Sequence, residues 1–320
     1  RTNTNLHQST SSKIVGIDLK EPSGGSEIIF ERNNDGIIIS ASNVKYQFNF
    51  DQGQLLKVYL DDTEFISSPF VHNIWRAPTD NDRGGSYEQS FYSHWKKAGY
   101  NNLKRTVESV NYNKIADNSV EVSVSESYSN KKSKIQVFIN YIVSKNGSLK
   151  INVKTDINPI LPVIPKIGLT TQIPSTFSEV TWYGRGPQES YSDRKLGAFV
   201  GLYNEKVDNL YFPYIKPQEN GNRSDTRWML ISDLNNKGIL IEAEEHFNFS
   251  AHRYSLDNLS KSKHTVDLKK SNYINLNIDH KMMGVGGDDS WNPRTHDEFL
   301  IKPGLYEFSY TFNFFNNLNN

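Results

Sequence analysis

Apolar and polar residues alternate with a period of two along much of the chain. The clearest case is the segment 306–314, whose aromatic positions are Tyr306, Phe308, Tyr310, Phe312 and Phe314. Shorter runs of the same kind cover residues 120–124, 135–141 and 149–153. Because successive side chains of a strand point to opposite faces of a sheet, this pattern predicts antiparallel strands with one buried face.

Turn signals separate the apolar runs. Asn34-Asp35-Gly36 and Asp51-Gln52-Gly53 each stand between two short runs, and Asn146-Gly147 predicts a hairpin with a type I′ turn. No internal repeat with the period of a propeller or solenoid is visible. The chain is therefore predicted to be all-β, with two large antiparallel sheets packed face to face.

Only one helix is predicted, between Ser86 and Gly99. Ser86 and Gln89 fit a capping box, and Gly99 stands where a C-terminal cap belongs. The apolar face of this helix would consist of Phe91, Trp95 and Ala98.

Composition narrows the classes of function. The 320 residues suffice for one large domain or two small ones, and 36 basic residues balance 36 acidic ones. The lack of a basic excess argues against nucleic-acid binding. No apolar run is long enough to span a membrane. The chain has no cysteine, which excludes disulfides and thiolate chemistry.

The N-terminal segment differs in composition from the rest. Residues 1–25 are rich in Ser, Thr and Asn, and we expect them to be a linker or the tail of an upstream domain. The β domain is predicted over residues 26–318. Because the chain starts with Arg1 and its first methionine is Met229, we expect a processed or excised piece of a longer protein.

The segment 284–293 combines three glycines, two carboxylates and Trp291 ahead of an Asn-Pro turn. A tryptophan in this setting is predicted on a loop, where its flat ring can cover the apolar face of a pyranose. Asp288 and Asp289 would then accept hydrogen bonds from sugar hydroxyls, and the glycines would let the backbone turn at positive φ and approach another group closely. The alternative is that Trp291 closes the end of a β-sandwich while the aspartates close the turn.

A second polar segment, residues 74–85, places Asp80, Asn81 and Asp82 ahead of Gly84-Gly85. The aspartates could bind Ca²⁺, but the glycine and the final glutamate of an EF-hand loop are absent. The alternative is an Asx-rich turn whose side chains bond their own backbone. The segment 79–85 would then be a mobile loop with few buried apolar contacts.

Two further clusters, residues 182–194 and 211–228, combine aromatic residues with Glu, Asn and Arg in loops rich in Gly and Pro. This mixture is typical of a carbohydrate cleft, although an ion pair such as Arg185 with Glu189 could be purely structural. The best-placed histidines for acid–base chemistry are His246, His252 and His280. None has the spacing of a metal ligand, and each could equally be a satisfied or solvated side chain.

Five motifs carry a family resemblance. They are Arg76-Ala77-Pro78-Thr79-Asp80-Asn81-Asp82, Trp95-Lys96-Lys97-Ala98-Gly99, Gly184-Arg185-Gly186-Pro187-Gln188-Glu189, Pro217-Gln218-Glu219-Asn220-Gly221 and Gly286-Gly287-Asp288-Asp289-Ser290-Trp291. In this order they resemble the C-terminal domain of the large β-galactosidases of glycoside hydrolase family 2, over residues 26–316. The resemblance implies a β-supersandwich similar to galactose mutarotase.

The resemblance also implies how the site is divided. In that family the two catalytic glutamates lie on an upstream (β/α)8 barrel, so no catalytic residue is expected in this chain. A tryptophan matching Trp291 stacks on the substrate. The loop bordering the same pocket would contain Arg76, Asp80, Asn81, Asp82 and Gly84. The parent would be a retaining β-galactosidase acting on terminal β-D-galactosides, as in lactose catabolism, and this chain alone would be inactive.

Metals and partners follow from the same resemblance. Some members bind sodium through a Phe-Pro pair where this chain has Lys216-Pro217, and their Mg²⁺ ligands lie mainly elsewhere. We expect no metal or cofactor in this chain, whereas the parent could use Mg²⁺ and Na⁺. The implied partners are β-galactoside sugars, the upstream barrel and sandwich domains of the same polypeptide, and further copies of the parent in a homo-oligomer. Neither nucleic acid nor membrane is expected, and bacterial cytoplasm and periplasm stay open for this soluble chain.

Two alternative functions remain. A mutarotase-like aldose epimerase would need a histidine and a glutamate that converge on a concave face, and the available pairs are His280 or His252 with Glu189. A stand-alone carbohydrate-binding module would need no catalytic group. The coding sequence upstream of Arg1 distinguishes these functions, because only the galactosidase requires a barrel that carries two glutamates.

Overall fold

The computed structural model describes residues 13–14, 17–18, 27–33, 36–115, 118–289 and 291–317. Most of the predicted linker over residues 1–25 lies outside these ranges. Only two short paired strands are described there, β1 (Lys13–Ile14) and β2 (Ile17–Asp18). The predicted bounds of the β domain therefore stay a prediction.

The smaller sheet is a meander of consecutive antiparallel strands. Its strands are β3 (Ile29–Asn33), β4 (Gly36–Ala41), β5 (Val44–Phe48), β6 (Leu55–Leu60) and β7 (Thr63–Ile66). Burial alternates along β5, as the period of two predicts. The predicted turn at Asp51-Gln52-Gly53 joins β5 to β6, and Gly53 takes a φ of 57° there.

The larger sheet contains the remaining strands. They are β8 (Val71–Asn73), β9 (Lys104–Ile115), β10 (Ser119–Ser129), β11 (Lys134–Ser144), β12 (Leu149–Ile157), β13 (Lys166–Pro174), β14 (Glu179–Gly186), β15 (Phe199–Lys206), β16 (Arg223–Ser232), β17 (Gly238–His252), β18 (Tyr273–Met282) and β19 (Leu305–Phe315). The main path runs β15-β14-β16-β17-β19-β12-β11-β10-β9.

The larger sheet divides at β17. Residues 238–243 of this strand pair with β19, and residues 248–252 pair with β18. Through β18 a second branch continues to β13 and β8. One long strand thus connects both branches, and the described chain is all-β and antiparallel, as predicted.

Aromatic side chains fill the space between the two sheets. The Phe314 ring lies 6.1 Å from Tyr46 and 5.8 Å from Phe65, while Phe48 lies 5.5 Å from Tyr141. These contacts join the smaller sheet to β19 and β11 of the larger one. The apolar face predicted for β19 is thus the face that packs in the core.

The predicted helix is α2 (Phe91–Ala98), but it begins later than expected. Ser90, not Ser86, is its N-cap, accepting a hydrogen bond from the Ser93 backbone N–H. The Ser86 carbonyl instead accepts the N–H groups of Gln89 and Ser90 in a separate 3-10 turn. Gly99 ends the helix with a φ of 74°, as predicted. The described chain also contains the short helices α1 (Asp80–Arg83), α3 (Val207–Leu210) and α4 (Leu256–Lys261), which were not predicted.

The hairpin at Asn146-Gly147 exists, but its turn type differs from the prediction. The Ser144 N–H bonds to the Ser148 carbonyl, which leaves three residues in the loop. Gly147 has a φ of 81°, whereas Asn146 is not among the residues with positive φ. A type I′ turn needs positive φ at both positions, so this loop is the three-residue kind with glycine in the left-handed region. The Asn146 side chain favours it by accepting the Ser148 N–H.

Candidate functional site

Helix α1 is a single turn fixed by reciprocal hydrogen bonds. The Thr79 hydroxyl accepts the Asp82 N–H at 3.1 Å, and the Asp82 carboxylate accepts the Thr79 N–H at 2.8 Å. This capping box satisfies two backbone donors that the helix leaves free. Residues 80–83 are therefore helical. The expected bond from an Asx side chain to its own backbone occurs at Asp82, but there it caps a helical turn and does not form an isolated Asx turn.

Arg76 connects α1 to the start of the glycine-rich segment. Its guanidinium donates to the Asp82 carboxylate at 2.7 and 3.0 Å, to the Met283 carbonyl at 2.7 Å and to the Gly284 carbonyl at 2.9 Å. Arg76 is 0% exposed and Asp82 1% exposed. Neither side chain reaches the surface, so in this structure these two predicted pocket-bordering residues bond to α1 and to the loop backbone.

Asp80 and Asn81 point away from that buried pair, towards two other segments. The Asn81 amide donates to the Val285 carbonyl at 2.9 Å. Asp80 exchanges two hydrogen bonds with Gln218, each of 2.9 Å, one through its backbone N–H and one through its carboxylate. The motifs around Arg76, Gln218 and Val285 therefore meet in space, although the sequence separates them widely.

The glycines of the segment allow close packing rather than unusual backbone angles. A Cβ on Gly284 would lie 2.5 Å from the Asp193 carboxylate, and one on Gly84 would lie 2.5 Å from Pro293. The same Asp193 carboxylate accepts the Gly286 N–H at 2.6 Å. Neither Gly284 nor Gly286 has a positive φ, so the expectation of left-handed backbone is wrong here. A side chain would not fit against Asp193.

Trp291 is the most exposed tryptophan side chain in the described residues, at 88%. Its backbone is nevertheless held, because the Asp289 carboxylate accepts the N–H groups of Trp291 and Asn292, both at 2.7 Å. These N–H groups hold the pKa of Asp289 below its ordinary value. The exposure excludes the alternative in which Trp291 closes the sandwich core. The other part of that alternative is confirmed for Asp289, whose carboxylate closes the turn through these two N–H groups.

Asp288 bonds a neighbouring histidine rather than the loop backbone. Its carboxylate lies 2.7 Å from His296 Nε2, and this hydrogen bond raises the pKa of His296. Both side chains are more than half exposed. Both aspartates predicted to bind sugar are thus exposed residues that already bond to groups within this segment, Asp288 to His296 and Asp289 to the loop backbone.

A cavity of about 160 Å³ lies beside α1 and the Gln218 segment. Its walls include Asp80, Asn81, Gln218, Glu219, Tyr191 and Tyr214. Glu219 is only 8% exposed, and burial raises its pKa to about 7 against the opposing charges of Lys166 and Arg76. The Tyr191 hydroxyl is buried and has no partner among the described residues.

Glu189 and Arg194 form one wall of this region together with Tyr214. The Glu189 carboxylate accepts hydrogen bonds from the Arg194 guanidinium and the Tyr214 hydroxyl, and from the Gly221 N–H at 2.7 Å. The predicted pairing of Arg185 with Glu189 is wrong. Arg185 pairs with Asp225 at 2.5 Å, because β14 and β16 are neighbours and bring these two residues together.

The three candidate histidines do not form an acid–base pair with Glu189. His252 is buried, its Nε2 lies 2.9 Å from the Asn220 carbonyl, and burial lowers its pKa to about 4. His280 stacks on Phe308 at 5.1 Å and, with His246, lines a separate cleft between β17 and β19. No hydrogen bond joins Glu189 to a histidine in the part of the chain that the structure describes.

Sequence reasoning assigned no individual role to two residues of the site. Asp193 holds the Gly286 N–H, and Glu219 lies without a hydrogen-bond donor beside the cavity. Both stand in the clusters at 182–194 and 211–228, so the aromatic and polar composition marked their segments. Their individual contacts could not be predicted, because tertiary packing decides which side chain reaches which loop.

Comparison with known proteins decides the family. The family model described as "Beta galactosidase small chain" matches residues 40–314. The chain belongs to this family. Similar curated proteins include a β-galactosidase of Pseudoalteromonas haloplanktis, 36% identical over 295 residues that cover 89% of this chain. Another is a β-galactosidase of Vibrio cholerae serotype O1, 35% identical over 288 residues that cover 88% of this chain.

This small-chain domain covers only part of those relatives. The matched regions make up 27% of each of the two β-galactosidases. The chain therefore corresponds to about a quarter of their length.

Solved structures align with this β-galactosidase small-chain domain over most of its length. A galactose 1-epimerase from Lactobacillus acidophilus NCFM covers 91% of this chain and 99% of its own, with a TM-score of 0.48 and 7% identity. A galactose mutarotase-like protein from Lactobacillus casei ATCC 334 covers 90% and 100%, with a TM-score of 0.43 and 12% identity.

Within the described ranges of this small-chain domain, no group of three or more His, Cys, Asp or Glu side chains is arranged to hold a metal ion. None of the helices described above has the length and apolar character needed to cross a membrane.

Proposed function

We propose that this chain is the non-catalytic C-terminal domain of a retaining β-galactosidase that hydrolyses terminal β-D-galactosides. The two carboxyl groups of such an enzyme would lie on an upstream barrel, roughly 5–5.5 Å apart, and would act through a covalent galactosyl-enzyme intermediate. The present chain would supply Trp291 as an aromatic surface beside that active site.

The observation that carries the proposal is the combination of exposure and restraint at Trp291. The Trp291 side chain is 88% exposed, while the Trp291 backbone N–H donates a hydrogen bond to the Asp289 carboxylate. Because the backbone of Trp291 is already held, a ligand that stacks on the ring has to order only the two side-chain torsions. Such a ring suits recognition of the apolar face of a sugar.

The supports of the loop agree with this role. Arg76 holds the carbonyls at the beginning of the segment, Asp193 holds the Gly286 N–H, and Thr295 donates to the Gly286 carbonyl at 3.0 Å. The contacts of Arg76 and Asp193 tie the Trp291 loop to other parts of the β domain, and the Thr295 contact joins the two ends of the loop. The supporting residues would position the ring without touching the substrate.

The test compares this chain with its full-length parent. We expect the 320-residue chain to release no nitrophenol from a nitrophenyl β-galactoside above a control without protein, whereas the parent polypeptide hydrolyses it. Turnover by the chain that disappears when one of its own carboxylates is replaced would overturn the proposal. A parent that does not cleave β-galactosides would overturn it as well.

A further inference from the structure

Four exposed apolar side chains lie around one cleft beside the edge of the larger sheet. They are Leu196, Phe199, Phe212 and Ile215, with exposed fractions of 92%, 75%, 50% and 89%, and we call them the apolar rim. Leu196 and Phe212 line the cleft, which has a volume of about 770 Å³, and the other two directly follow residues of its lining. Single exposed apolar residues are common, but a group of them around a concave surface indicates that another molecule covers it.

Other strongly exposed apolar residues do not surround the cleft. Ile160 lies between β12 and β13, Leu234 between β16 and β17, and Val266 between α4 and β18. Their exposed fractions are 89%, 81% and 87%, and none of the three lines the cleft. They are single apolar residues in separate connections, and they therefore provide matched controls for the apolar rim.

Strand β15 gives a second indication that a polypeptide covers this region. In the described part of the chain, β15 has a neighbouring strand on one side only, and its Glu205 lines the cleft. Natural edge strands are usually protected by charged residues or proline, but residues 199–204 contain neither. Leu202 on this strand is itself half exposed. An apolar edge of this kind is normally covered in the native protein.

The three basic side chains that line the cleft are already bound within the chain. Lys195 pairs with Asp225 at 3.0 Å, and Arg194 pairs with Glu189. Arg223 donates to three backbone carbonyls, at 2.8, 3.0 and 3.3 Å. The apolar rim is therefore the part of the cleft that is left for a partner to cover, and apolar side chains fit it better than charged ones.

The cleft is continuous with the surroundings of the Trp291 loop. Arg194 and Tyr214 line both the cleft and the cavity beside α1. Asp193 also lines the cleft, and its carboxylate accepts the Gly286 N–H at 2.6 Å. A domain that stands next to Trp291, as the proposed function requires, would therefore also reach the cleft.

The size of the apolar rim favours a partner in the same polypeptide. A stable complex of two free molecules needs roughly 800 Å² of buried surface on each partner, which is much more than four side chains provide. A linked domain meets the rim at a high effective concentration, so a small apolar surface is enough to hold it. Most of each of the two β-galactosidases compared above lies outside the region that this chain matches, which leaves room for such a domain.

We propose that the cleft and its apolar rim are the docking surface for the upstream barrel domain of the parent polypeptide, which places apolar side chains between Leu196 and Phe212. The proposal rests on the proposed function for the existence of that domain, but it requires neither sugar binding nor turnover. Docking at this cleft would fix the position of the barrel relative to the Trp291 loop.

The experiment compares the 320-residue chain with the full-length parent by hydroxyl-radical footprinting, read residue by residue with mass spectrometry. We expect labelling of the four rim residues to fall about fivefold or more in the parent, because the centre of a domain interface excludes water. Ile160, Leu234 and Val266 should be labelled alike in both proteins. Rim residues that are labelled as strongly in the parent as in the chain would overturn the proposal, and so would an equal loss of labelling at the three controls.

Other occupants give different results, each of which contradicts the proposal. If the rim of the 320-residue chain becomes protected as its concentration rises, the occupant is a second copy. A rim that resists labelling even in the dilute chain is covered by another part of the same chain. Protection in the parent that disappears on dilution assigns the rim to a contact between copies of the parent.

Substitutions test the same surface through stability. Leu196→Asp and Ile215→Asp place a charge on the rim, and Leu234→Asp is the matched control. Because all three positions are exposed, each variant of the 320-residue chain should melt at the temperature of wild type. In the parent, only the two rim variants should lower the melting temperature and restore labelling at Phe199 and Phe212. Rim variants of the parent that behave like the control would overturn the proposal.

The two proposals fail separately. A parent that protects the rim but does not hydrolyse β-galactosides contradicts the proposed function and leaves the docking surface in place. A parent that hydrolyses them while its rim stays fully labelled contradicts only the docking surface.

Discussion

The Arg76 guanidinium and the Asp82 carboxylate form an ion pair with two hydrogen bonds, 2.7 and 3.0 Å long, and both residues are buried. The remaining donors of Arg76 bind the carbonyls of Met283 and Gly284. One buried guanidinium therefore joins helix α1 to the loop that carries Trp291. Breaking this pair leaves an uncompensated charge where water cannot reach it.

Replacing Arg76 should consequently destabilise the whole domain. We expect Arg76→Met to lower the free energy of unfolding by about 3–5 kcal/mol in urea titrations, because the buried Asp82 carboxylate loses its ion-pair partner. The matched control is Lys261→Met, which breaks the exposed pair with Asp257 and should cost less than about 0.5 kcal/mol. Equal, small losses in both variants would show that the buried pair contributes nothing beyond a surface contact.

The raised pKa of Glu219 predicts how the free energy of unfolding depends on pH. Burial raises its pKa from 4.5 to about 7, so the folded chain holds a proton there that the unfolded chain has already released. Stability from this group is therefore complete below about pH 4.5 and falls as the pH rises to about 7, by up to about 1.4 kcal/mol per pH unit. Burial lowers the pKa of His72 to about 3 and of His252 to about 4, which gives the opposite trend below pH 6.5.

The contribution of Glu219 is isolated by comparing variants. We expect the stability of Glu219→Gln relative to wild type to increase steadily between pH 4.5 and 7, because glutamine cannot release a proton. Glu31→Gln, on an exposed position of β3, should show no such trend. Chemical unfolding at five or six pH values measures both. A constant difference between Glu219→Gln and wild type across this range would mean that Glu219 titrates normally.

The strands could be predicted from the sequence because buried and exposed residues alternate along them with a period of two. Tyr310, Phe312 and Phe314 are buried, as the alternation predicts for a strand with one face in the core. The start of α2 could not be chosen in the same way. Ser86 and Ser90 both precede residues that suit a helix, and only the fold decides which serine caps it.

Contacts within the site were less predictable, since they join residues far apart in the chain. Arg185 stands four positions from Glu189 in the sequence, yet it pairs with Asp225 across two strands. Asp193 and Gly286 are separated by 93 positions and share a hydrogen bond. Charge and composition identify such residues as candidates for ion pairs. Several acidic residues could pair with the same arginine, however, and only the sheet register decides which of them lies close enough.

Gly287 should be required for the shape of the Trp291 loop. A Cβ there would lie 2.4 Å from the Pro293 carbonyl carbon and 2.5 Å from the Asn292 oxygen, both backbone atoms. We expect Gly287→Ala to displace the loop and to lower the free energy of unfolding by about 1–3 kcal/mol. Amide chemical shifts of residues 284–296 should change, whereas those of β10 to β12 should not.

The control for this substitution is Gly197→Ala. A Cβ on Gly197 would meet no atom within 4 Å, and its φ is not positive. Its spectrum and stability should match those of wild type. If Gly287→Ala leaves the chemical shifts of residues 284–296 unchanged, a Cβ fits at position 287 and the loop does not require glycine there.

Trp291 should be dispensable for folding and important for activity of the parent. Because the side chain is 88% exposed, Trp291→Ala should cost the 320-residue chain less than about 1 kcal/mol of unfolding free energy. The matched control is Trp95→Ala. Trp95 is 0% exposed and donates to the Val163 carbonyl at 2.8 Å, so its loss should cost about 3–5 kcal/mol.

In the full-length parent, Trp291→Ala should lower kcat/KM for a galactoside about tenfold or more, since stacking of a sugar on the ring is worth on the order of 1–3 kcal/mol. The decisive comparison is between the two measurements. A chain that loses cooperative unfolding on Trp291→Ala, beside a parent with normal kinetics per folded molecule, would make Trp291 a structural residue. A stable chain beside an impaired parent shows that the ring acts outside the core of its own domain, and a parent that keeps its free energy of unfolding on Trp291→Ala then assigns the ring to the substrate, because a contact with the upstream barrel would contribute to that stability.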